Sequence, residues 1–185
     1  VIFYDGSELT FTKDITLDVK DPAAMAYIGI DASHYNQYIS GNYADSYTNF
    51  TQLAAAYGVR VVRLNTSEEL IQAAENKEGK FALLILSAPD RRKYTTDFRC
   101  YTAEELAALA AFTAGGGSLI VNGYSDGYEG NATMTAEQHM AAQQNLILSA
   151  VGSDLRIGDD GAYDSQNGEY RLYLDTYNSD SFLLK

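Results

Sequence analysis

The side chains best suited to chemistry in this chain follow four short apolar runs, at the points where those runs end. The set consists of Asp31, Ser33, His34, Asn36, Asn65, Ser87, Asn122, Ser125 and Asp126. Only His34 has an ordinary pKa close to neutrality, so it is the candidate for an acid, a base or a pH-sensitive contact. Asp, Ser and Asn at strand ends also act as turn and N-cap residues, and this structural interpretation stays open beside the functional one.

Two residues are candidate nucleophiles. Ser125 lies in Gly123-Tyr-Ser-Asp-Gly127, which fits the Gly-x-Ser-x-Gly pattern of a nucleophile elbow. An elbow needs a helix directly after it, and the next stretch is not helical in character, so the pattern favours a glycine-rich loop. Cys100 precedes a helix start, where the helix dipole could lower the thiol pKa. It follows no strand, and we expect a small buried residue there.

Metal-binding patterns are weak. The chain has one cysteine and two histidines, His34 and His139, which excludes a disulfide framework and a cysteine-based zinc site. The acidic stretch at 159–169 has oxygen ligands for calcium, but its spacing does not match an EF-hand loop. We therefore expect no cofactor and no metal among the site residues, and leave calcium at this stretch open.

The charge balance excludes several classes of partner. Acidic residues outnumber basic ones 25 to 13, which gives a net charge of -12. Phosphate contacts need clustered Lys and Arg, so we expect no nucleic acid to be bound by this domain. Anionic membrane surfaces are disfavoured for the same reason. No apolar run approaches the roughly 20 residues of a membrane span, so we expect no membrane insertion.

The elements that must position these side chains alternate between strand and helix. Apolar runs predict strands at 26–31, 59–64, 81–87 and 118–122, and helical periodicity predicts helices at 45–57, 66–75, 102–115 and 135–151. Thr66-Ser-Glu-Glu69 and Thr102-Ala-Glu-Glu105 are capping boxes that begin two of the helices. This order predicts an α/β fold with a doubly wound, mostly parallel, flavodoxin-like sheet. Ligands of such folds bind beyond the carboxyl ends of the strands.

Both ends of the chain depart from this alternation of strands and helices. Residues 1–22 show short alternating runs around Asp5-Gly6, which predict a β-rich segment outside the parallel sheet or the tail of a preceding domain. Residues 23–185 would form the α/β domain. Tyr170-Arg-Leu-Tyr-Leu174 predicts an antiparallel edge extension of the sheet. Because the chain starts at Val1 and both termini have strand character, we expect a segment of a longer protein.

Several stretches carry a resemblance to a known superfamily. They are Tyr27-Ile-Gly-Ile-Asp-Ala-Ser-His34, Leu83-Leu-Ile-Leu-Ser87, 101–112 and Gly115-Gly-Gly-Ser-Leu-Ile-Val-Asn-Gly123. Together they resemble class I glutamine amidotransferase-like domains, and more narrowly the non-catalytic members found as accessory domains in large secreted or wall-anchored bacterial proteins. The stretch 147–160 is similar to a segment that follows this domain in bacterial surface nucleases and metallophosphatases. The resemblance covers about residues 24 to 175.

One departure from the catalytic members of that superfamily is informative. They carry a cysteine in a Gly-x-Cys-x-Gly elbow, where this chain has Ser125, and they have a later His-x-Glu pair that this chain lacks. A cysteine–histidine mechanism therefore cannot be assembled here. The resemblance implies a non-catalytic binding or structural domain of a larger extracellular or wall-associated bacterial protein, such as a surface nuclease or phosphatase.

The resemblance leaves the ligand open. Expected partners are the neighbouring domains of the parent chain and a small-molecule or sugar ligand. Such a ligand should touch the loops at 31–36 and 122–126, and the helix N-termini at this edge would favour an anion. Two alternatives remain. One is a hydrolase that uses Ser125 or His34, and the other is a carbohydrate-binding module that uses exposed members of the 15 tyrosines.

Overall fold

The computed structural model describes residues 2–4, 7–9, 25–34, 36, 39, 44–86, 99–122 and 134–158. Several of the sequence predictions lie outside these residues. They are the site residues Ser87, Ser125 and Asp126, the calcium stretch at 159–169 and the edge extension at 170–174.

The first two strands form a small sheet of their own. β1 (Ile2–Tyr4) pairs antiparallel with β2 (Ser7–Leu9), and Tyr4 is the register partner of Ser7. This two-stranded sheet is separate from the parallel sheet of the domain. The β structure expected outside the parallel sheet is therefore present in these six residues.

Four parallel strands form the centre of the domain. They are β3 (Ala26–Asp31), β4 (Val59–Leu64), β5 (Phe81–Leu86) and β6 (Ser118–Val121). Their order is β4-β3-β5-β6, and every neighbouring pair is parallel, as predicted. After β4 the chain crosses past β3 to reach β5, so β3 and β5 flank the topological switch point of the sheet.

Helices flank the sheet in a doubly wound, flavodoxin-like arrangement. They are α1 (Asp45–Ala56), α2 (Ser67–Glu75), α3 (Ala103–Ala114) and α4 (Met140–Ala150). α1 packs on β4, while α2 packs on α3 and α3 packs on α4. None of the described helices is long and apolar enough to cross a membrane.

The main core lies between the sheet and the layer formed by α2, α3 and α4. Leu70, Leu84, Leu109 and Ile147 are fully buried in it. Gly29 leaves room for side chains of the neighbouring strands, because a Cβ atom at this position would lie 2.6 Å from Leu84 Cδ2 of β5 and 3.0 Å from Leu64 Cδ1 of β4. Burial of these side chains supplies the main driving force that holds the helices on the sheet.

The last predicted helix is interrupted. Residues 136–138 form a 3₁₀ turn, and His139 is extended, with φ -63° and ψ 149°, so that α4 begins at Met140. The Gln143 side chain bridges the break, because its Nε2 donates to Glu137 O at 2.6 Å and its Oε1 accepts from Tyr101 N at 2.8 Å. The prediction of one continuous helix over 135–151 was wrong, because the extended His139 separates the 3₁₀ turn from α4.

Candidate functional site

The site begins at the last residue of β3. Asp31 is 1% exposed, and Ser33, His34 and Asn36 in the following turn are also buried. Asp31 Oδ1 accepts hydrogen bonds from Ser33 N at 2.9 Å and from Ser33 Oγ at 2.6 Å. Asn36 Nδ2 donates to Asp31 O at 2.9 Å. The expected turn role of these residues is therefore present, and it fixes the Asp31 carboxylate within the fold.

His34 lies between two carboxylates. Its Nδ1 is 2.8 Å from Asp31 Oδ2, and its Nε2 is 3.6 Å from Glu105 Oε2. The imidazole ring stacks on Tyr101, with ring centroids 3.8 Å apart and an interplanar angle of 19°. The Tyr101 hydroxyl donates to Asp31 Oδ2 at 2.8 Å. These contacts join the end of β3 to the start of α3.

The three charged groups stabilise one another's ionised forms. Burial opposes protonation of His34, but its hydrogen bond to Asp31 and the nearby Glu105 carboxylate raise its pKa to about 9. Burial would raise the pKa of Glu105, but His34, the Thr102 amide and Ser67 lower it to about 2. The pKa of Asp31 is likewise lowered, against its burial, chiefly by His34. The raised pKa of His34 and the lowered pKa values of Asp31 and Glu105 favour an imidazolium between two carboxylates at neutral pH.

The N-terminus of α3 sets the position of Glu105. Thr102 is the N-cap residue, and its Oγ1 accepts from Glu105 N at 3.2 Å while Glu105 Oε2 accepts from Thr102 N at 2.7 Å. This is the capping box that the sequence predicts. The same carboxylate that caps the helix also faces His34, a second role that the local motif does not reveal.

A pocket of about 300 Å³ opens beside this cluster. It is lined by Ser33, His34, Ser67, Arg99, Cys100, Thr102 and Glu105. Arg99 Nη1 donates to Ser33 O at 3.1 Å, so the guanidinium is tied to the turn after β3. Cys100 is partly exposed at the pocket rather than buried, which corrects the sequence-based expectation.

The remaining predicted site residues lie elsewhere. Asn65 is exposed, and its amide N–H donates to Glu69 Oε2 at 2.6 Å in the cap of α2. Asn122 follows β6, and its carbonyl accepts from Gln144 Nε2. Neither side chain lines the pocket beside His34. The structure thus brings together the four predicted residues after β3 and adds Tyr101, Glu105 and Arg99.

Ser33, His34 and Asp31 do not have the geometry of a Ser-His-Asp triad. Asp31 and Glu105 face opposite nitrogens of His34, and no group of three metal-ligating side chains is found in the described part of the chain. Ser33 Oγ lies 2.9 Å from Nδ1, the same nitrogen that contacts Asp31. A Ser-His-Asp triad places serine and carboxylate on different nitrogens, so no proton relay forms here.

Comparisons of the chain with protein-family models, with curated proteins and with solved structures find no match. The resemblance to amidotransferase-like domains therefore stays a prediction, and the function is argued from the site itself.

Proposed function

We propose that this domain is a non-catalytic accessory domain, with a binding or structural role, in a larger extracellular bacterial protein such as a surface nuclease or phosphatase. The resemblance described above supports the wider context. One feature of the site supports the non-catalytic role: the His34 ring lies between the Asp31 and Glu105 carboxylates, and its hydrogen bond to Asp31 and the nearby Glu105 raise its pKa to about 9.

A general base must be unprotonated at the working pH and must reach the proton that it removes. With a pKa of about 9, His34 would be neutral in roughly 1% of molecules at pH 7. Its Nδ1 is occupied by Asp31, and the nearest hydroxyl, that of Ser33, already donates to the same carboxylate. The contacts of the cluster therefore hold the end of β3 against the start of α3. They do not activate a nucleophile.

The hydrolase alternative now rests on Ser125, which lies outside the described residues. Labelling with a fluorophosphonate probe tests it, with a known serine hydrolase as positive control and Ser125→Ala as the matched variant. We expect no label on Ser125 and no hydrolysis of aryl esters or aryl phosphates above the buffer rate. Labelling that is lost in Ser125→Ala, together with hydrolysis that is lost in parallel, would contradict the non-catalytic role.

The second alternative is a carbohydrate-binding module that uses exposed tyrosines. It gains no support from the described residues. Of the four tyrosines whose side chains are described, only Tyr57 is exposed, at 79%. Tyr27 is half-buried, with Arg60 and Lys80 near its ring, and Tyr101 is buried against His34.

A further inference from the structure

One face of the parallel sheet is only partly covered by the described helices. α2, α3 and α4 all pack against the face that carries Leu84, whereas α1 packs on β4. The strand register pairs Ile85 of β5 with Ile30 of β3 and with Ile120 of β6, so these three side chains share the opposite face. Phe50 of α1 lines a cavity together with Ile30 and Ile85, which places α1 on that face as well.

The part of this face beyond α1 is apolar. Ile120 is 45% exposed, and Leu83 and Ile85 of β5 are only half-buried. All six residues of β5 are apolar, which is the pattern of a parallel strand that is covered on both faces. The described helices cover β5 fully on one face only, so its sequence indicates that a further element belongs on the other.

The flank of α1 continues this apolar surface. Phe50, Leu53 and Tyr57 stand at positions i, i+3 and i+7, which lie on one side of a helix. Because Phe50 lines the cavity with Ile85, this side of α1 faces the uncovered strands. Leu53 is 59% exposed, and Tyr57 is exposed too. We name this surface the α1–β6 groove, and its residues are Phe50, Leu53, Tyr57, Leu83, Ile85 and Ile120.

The dimensions of the α1–β6 groove fit one helix. Neighbouring strands lie about 4.8 Å apart, so β5 and β6 form a floor about 10 Å wide, close to the diameter of an α-helix. β5 has six residues and is therefore about 20 Å long, which matches about 13 helical residues. A helix in this position would complete the second layer of the doubly wound fold.

A cavity at one end of the groove can hold an anchoring side chain. Its volume is about 230 Å³, and its lining includes Ile30, Phe50 and Ile85. This volume lies below the roughly 300–1,000 Å³ of small-molecule pockets, but it accommodates one large apolar side chain. Well-packed pockets of this kind hold the residues that dominate the energetics of an interface.

Charge distinguishes between two sources of such a helix. The six groove residues are uncharged, and Asp45 is the one charged residue of α1. The chain as a whole carries a net charge of -12. A second copy of the chain would bring the same net charge and be repelled, whereas a helix with basic residues beside its apolar stripe would be attracted.

The sequence outside the described residues contains no candidate for this helix. Residues 1–22 alternate with the period of a strand, and 159–185 combines turn signals with the alternating pattern of 170–174. The stretches 87–98 and 123–133 are short and rich in polar residues. The groove is uncharged and apolar, as in permanent rather than transient interfaces, which favours a neighbouring domain of the same protein.

From these observations we propose that the α1–β6 groove binds one amphipathic helix of a neighbouring domain, with basic residues beside its apolar stripe. The helix lies next to α1 on β5 and β6 and places one large apolar side chain in the cavity beside Phe50 and Ile85. This inference deepens the proposed function and rests on it, because it names the partner of the accessory domain.

Methyl NMR of the whole 185-residue chain tests the proposal. The probes are capped peptides of about 14 residues with Leu, Ile, Phe or Met at i, i+3, i+4 and i+7, and with Lys, Gln and Ala elsewhere. One control peptide has the same composition in an order that breaks the stripe, and another has Glu in place of Lys. The methyl signals of Leu53, Ile85 and Ile120 report on the groove, and those of Leu146 and Leu155 are the reference.

We expect at least one striped Lys peptide to shift the groove signals in a saturable manner, the Glu peptide to bind more weakly, and the broken-stripe peptide not to bind. Groove signals that no striped peptide shifts, or that the broken-stripe peptide shifts equally, would overturn the proposal. Equal binding of the Glu peptide would contradict the basic flanks. Groove signals that shift when the protein concentration alone is raised would also overturn the proposal, because they would identify a second copy as the occupant.

Two exposed leucines give matched variants. Leu53 lies in the groove, whereas Leu155 belongs to the segment that Asn145 of α4 holds through Ile157 N, in the layer on the other face of the sheet. We expect Leu53→Gln to weaken binding of the best peptide about tenfold and Leu155→Gln to leave it unchanged. Both positions are exposed, so both variants should fold. Equal binding by the two variants would contradict the assignment to the groove.

The full-length parent protein tests the source of the helix. We expect its α1–β6 groove to bind no peptide, because the neighbouring domain already occupies it. Peptide binding by the full-length protein with the same affinity as by the 185-residue chain would overturn the assignment to a neighbouring domain. Failure of this inference is separable from failure of the proposed function, because the fluorophosphonate experiment reports on Ser125 and the peptide experiments report on the groove.

Discussion

At the scale of single residues, the pairing of His34 with two carboxylates couples the stability of the domain to pH. The folded-state pKa of His34 is raised from 6.5 to about 9, so the folded state binds the proton more tightly than the unfolded chain. The stabilisation is therefore fully present below pH 6.5 and is lost as the pH rises through 9. Glu105, with its pKa lowered from 4.5 to about 2, contributes above pH 4.5, and this contribution is lost as the pH falls through 2.

The loss of stabilisation at alkaline pH gives the first prediction. The difference in unfolding free energy between the wild type and His34→Gln should be largest near pH 6 and should fall by about 3 kcal/mol as the pH rises to 9 and beyond. Urea denaturation at a series of pH values measures this difference. A difference that stays constant from pH 6 to pH 10 would show that His34 is not held as an imidazolium.

Tyr101 gives a second prediction at this scale. Tyr101→Phe keeps the ring stacked on His34 but removes the hydroxyl that donates to Asp31 Oδ2 at 2.8 Å. Because the acceptor is a buried carboxylate, we expect a loss of about 2 kcal/mol in unfolding free energy. The matched control is Tyr57→Phe at an exposed position, which should change stability by less than about 0.5 kcal/mol. Equal effects of the two substitutions would contradict the hydrogen bond.

Sequence reasoning found only part of the site. Asp31, Ser33 and His34 were found because polar residues directly follow an apolar strand. Tyr101 was missed because it contacts Asp31 across 70 positions of the chain, a separation at which no periodicity or spacing signal operates. Glu105 was recognised only as a cap, because a capping box defines a helix start and not what lies beyond it.

At the scale of elements, the N-terminus of α3 combines two roles. The reciprocal bonds of Thr102 and Glu105 begin the helix, and they also orient the carboxylate that faces His34. Loss of the cap should therefore disturb both the helix and the charge cluster.

Thr102→Ala tests this double role. We expect a loss of about 1–2 kcal/mol in unfolding free energy from the missing cap, together with a fall in the pKa of His34 as Glu105 loses its fixed position. Denaturation and the His34 NMR titration measure the two effects on the same sample. Thr113→Ala near the C-terminus of α3 is the control, and it should leave the pKa of His34 unchanged. If Thr102→Ala is less stable but the pKa of His34 is unchanged, the cap does not orient the Glu105 carboxylate toward His34.

The elements were more predictable than the site because their signals are local. Apolar runs located β3 to β6, and Thr66 and Thr102 were correctly predicted as the N-caps of α2 and α3. Only Thr102 and Glu105 form a full capping box, because the Glu69 carboxylate accepts from Asn65 N instead of Thr66 N. The break before α4 lies at His139, which is extended between the 3₁₀ turn and the helix, and the Gln143 side chain beside it bonds to the distant Tyr101 amide. Hydrophobic periodicity continues through such a break and gives no sign of it.

At the scale of the whole molecule, the net charge of -12 acts against the compact state through self-repulsion. Exposed ion pairs act in the opposite sense, as with Lys77–Glu75 at 2.8 Å and the neighbouring pair Lys80–Glu78. Exposed pairs contribute little individually, so repulsion among the excess carboxylates should dominate.

The dependence of stability on salt concentration tests whether charge repulsion outweighs the exposed ion pairs. Raising NaCl from roughly 10 mM to roughly 150 mM shortens the screening length from about 30 Å to about 8 Å, and we expect the urea midpoint to rise. The buried cluster around His34 should be little affected, so His34→Gln should show the same salt dependence as the wild type. A urea midpoint that falls with added salt would show that the exposed ion pairs outweigh the net repulsion.

The proposal of a non-catalytic domain rests, within the described residues, on the protonation state of His34. An NMR titration of the His34 ring, with His139 as the internal comparison, measures that state directly. We predict that His34 titrates with a midpoint near pH 9 and remains protonated at pH 7. A midpoint at or below the ordinary value of 6.5 would contradict this, because a neutral imidazole at pH 7 would be available as a general base.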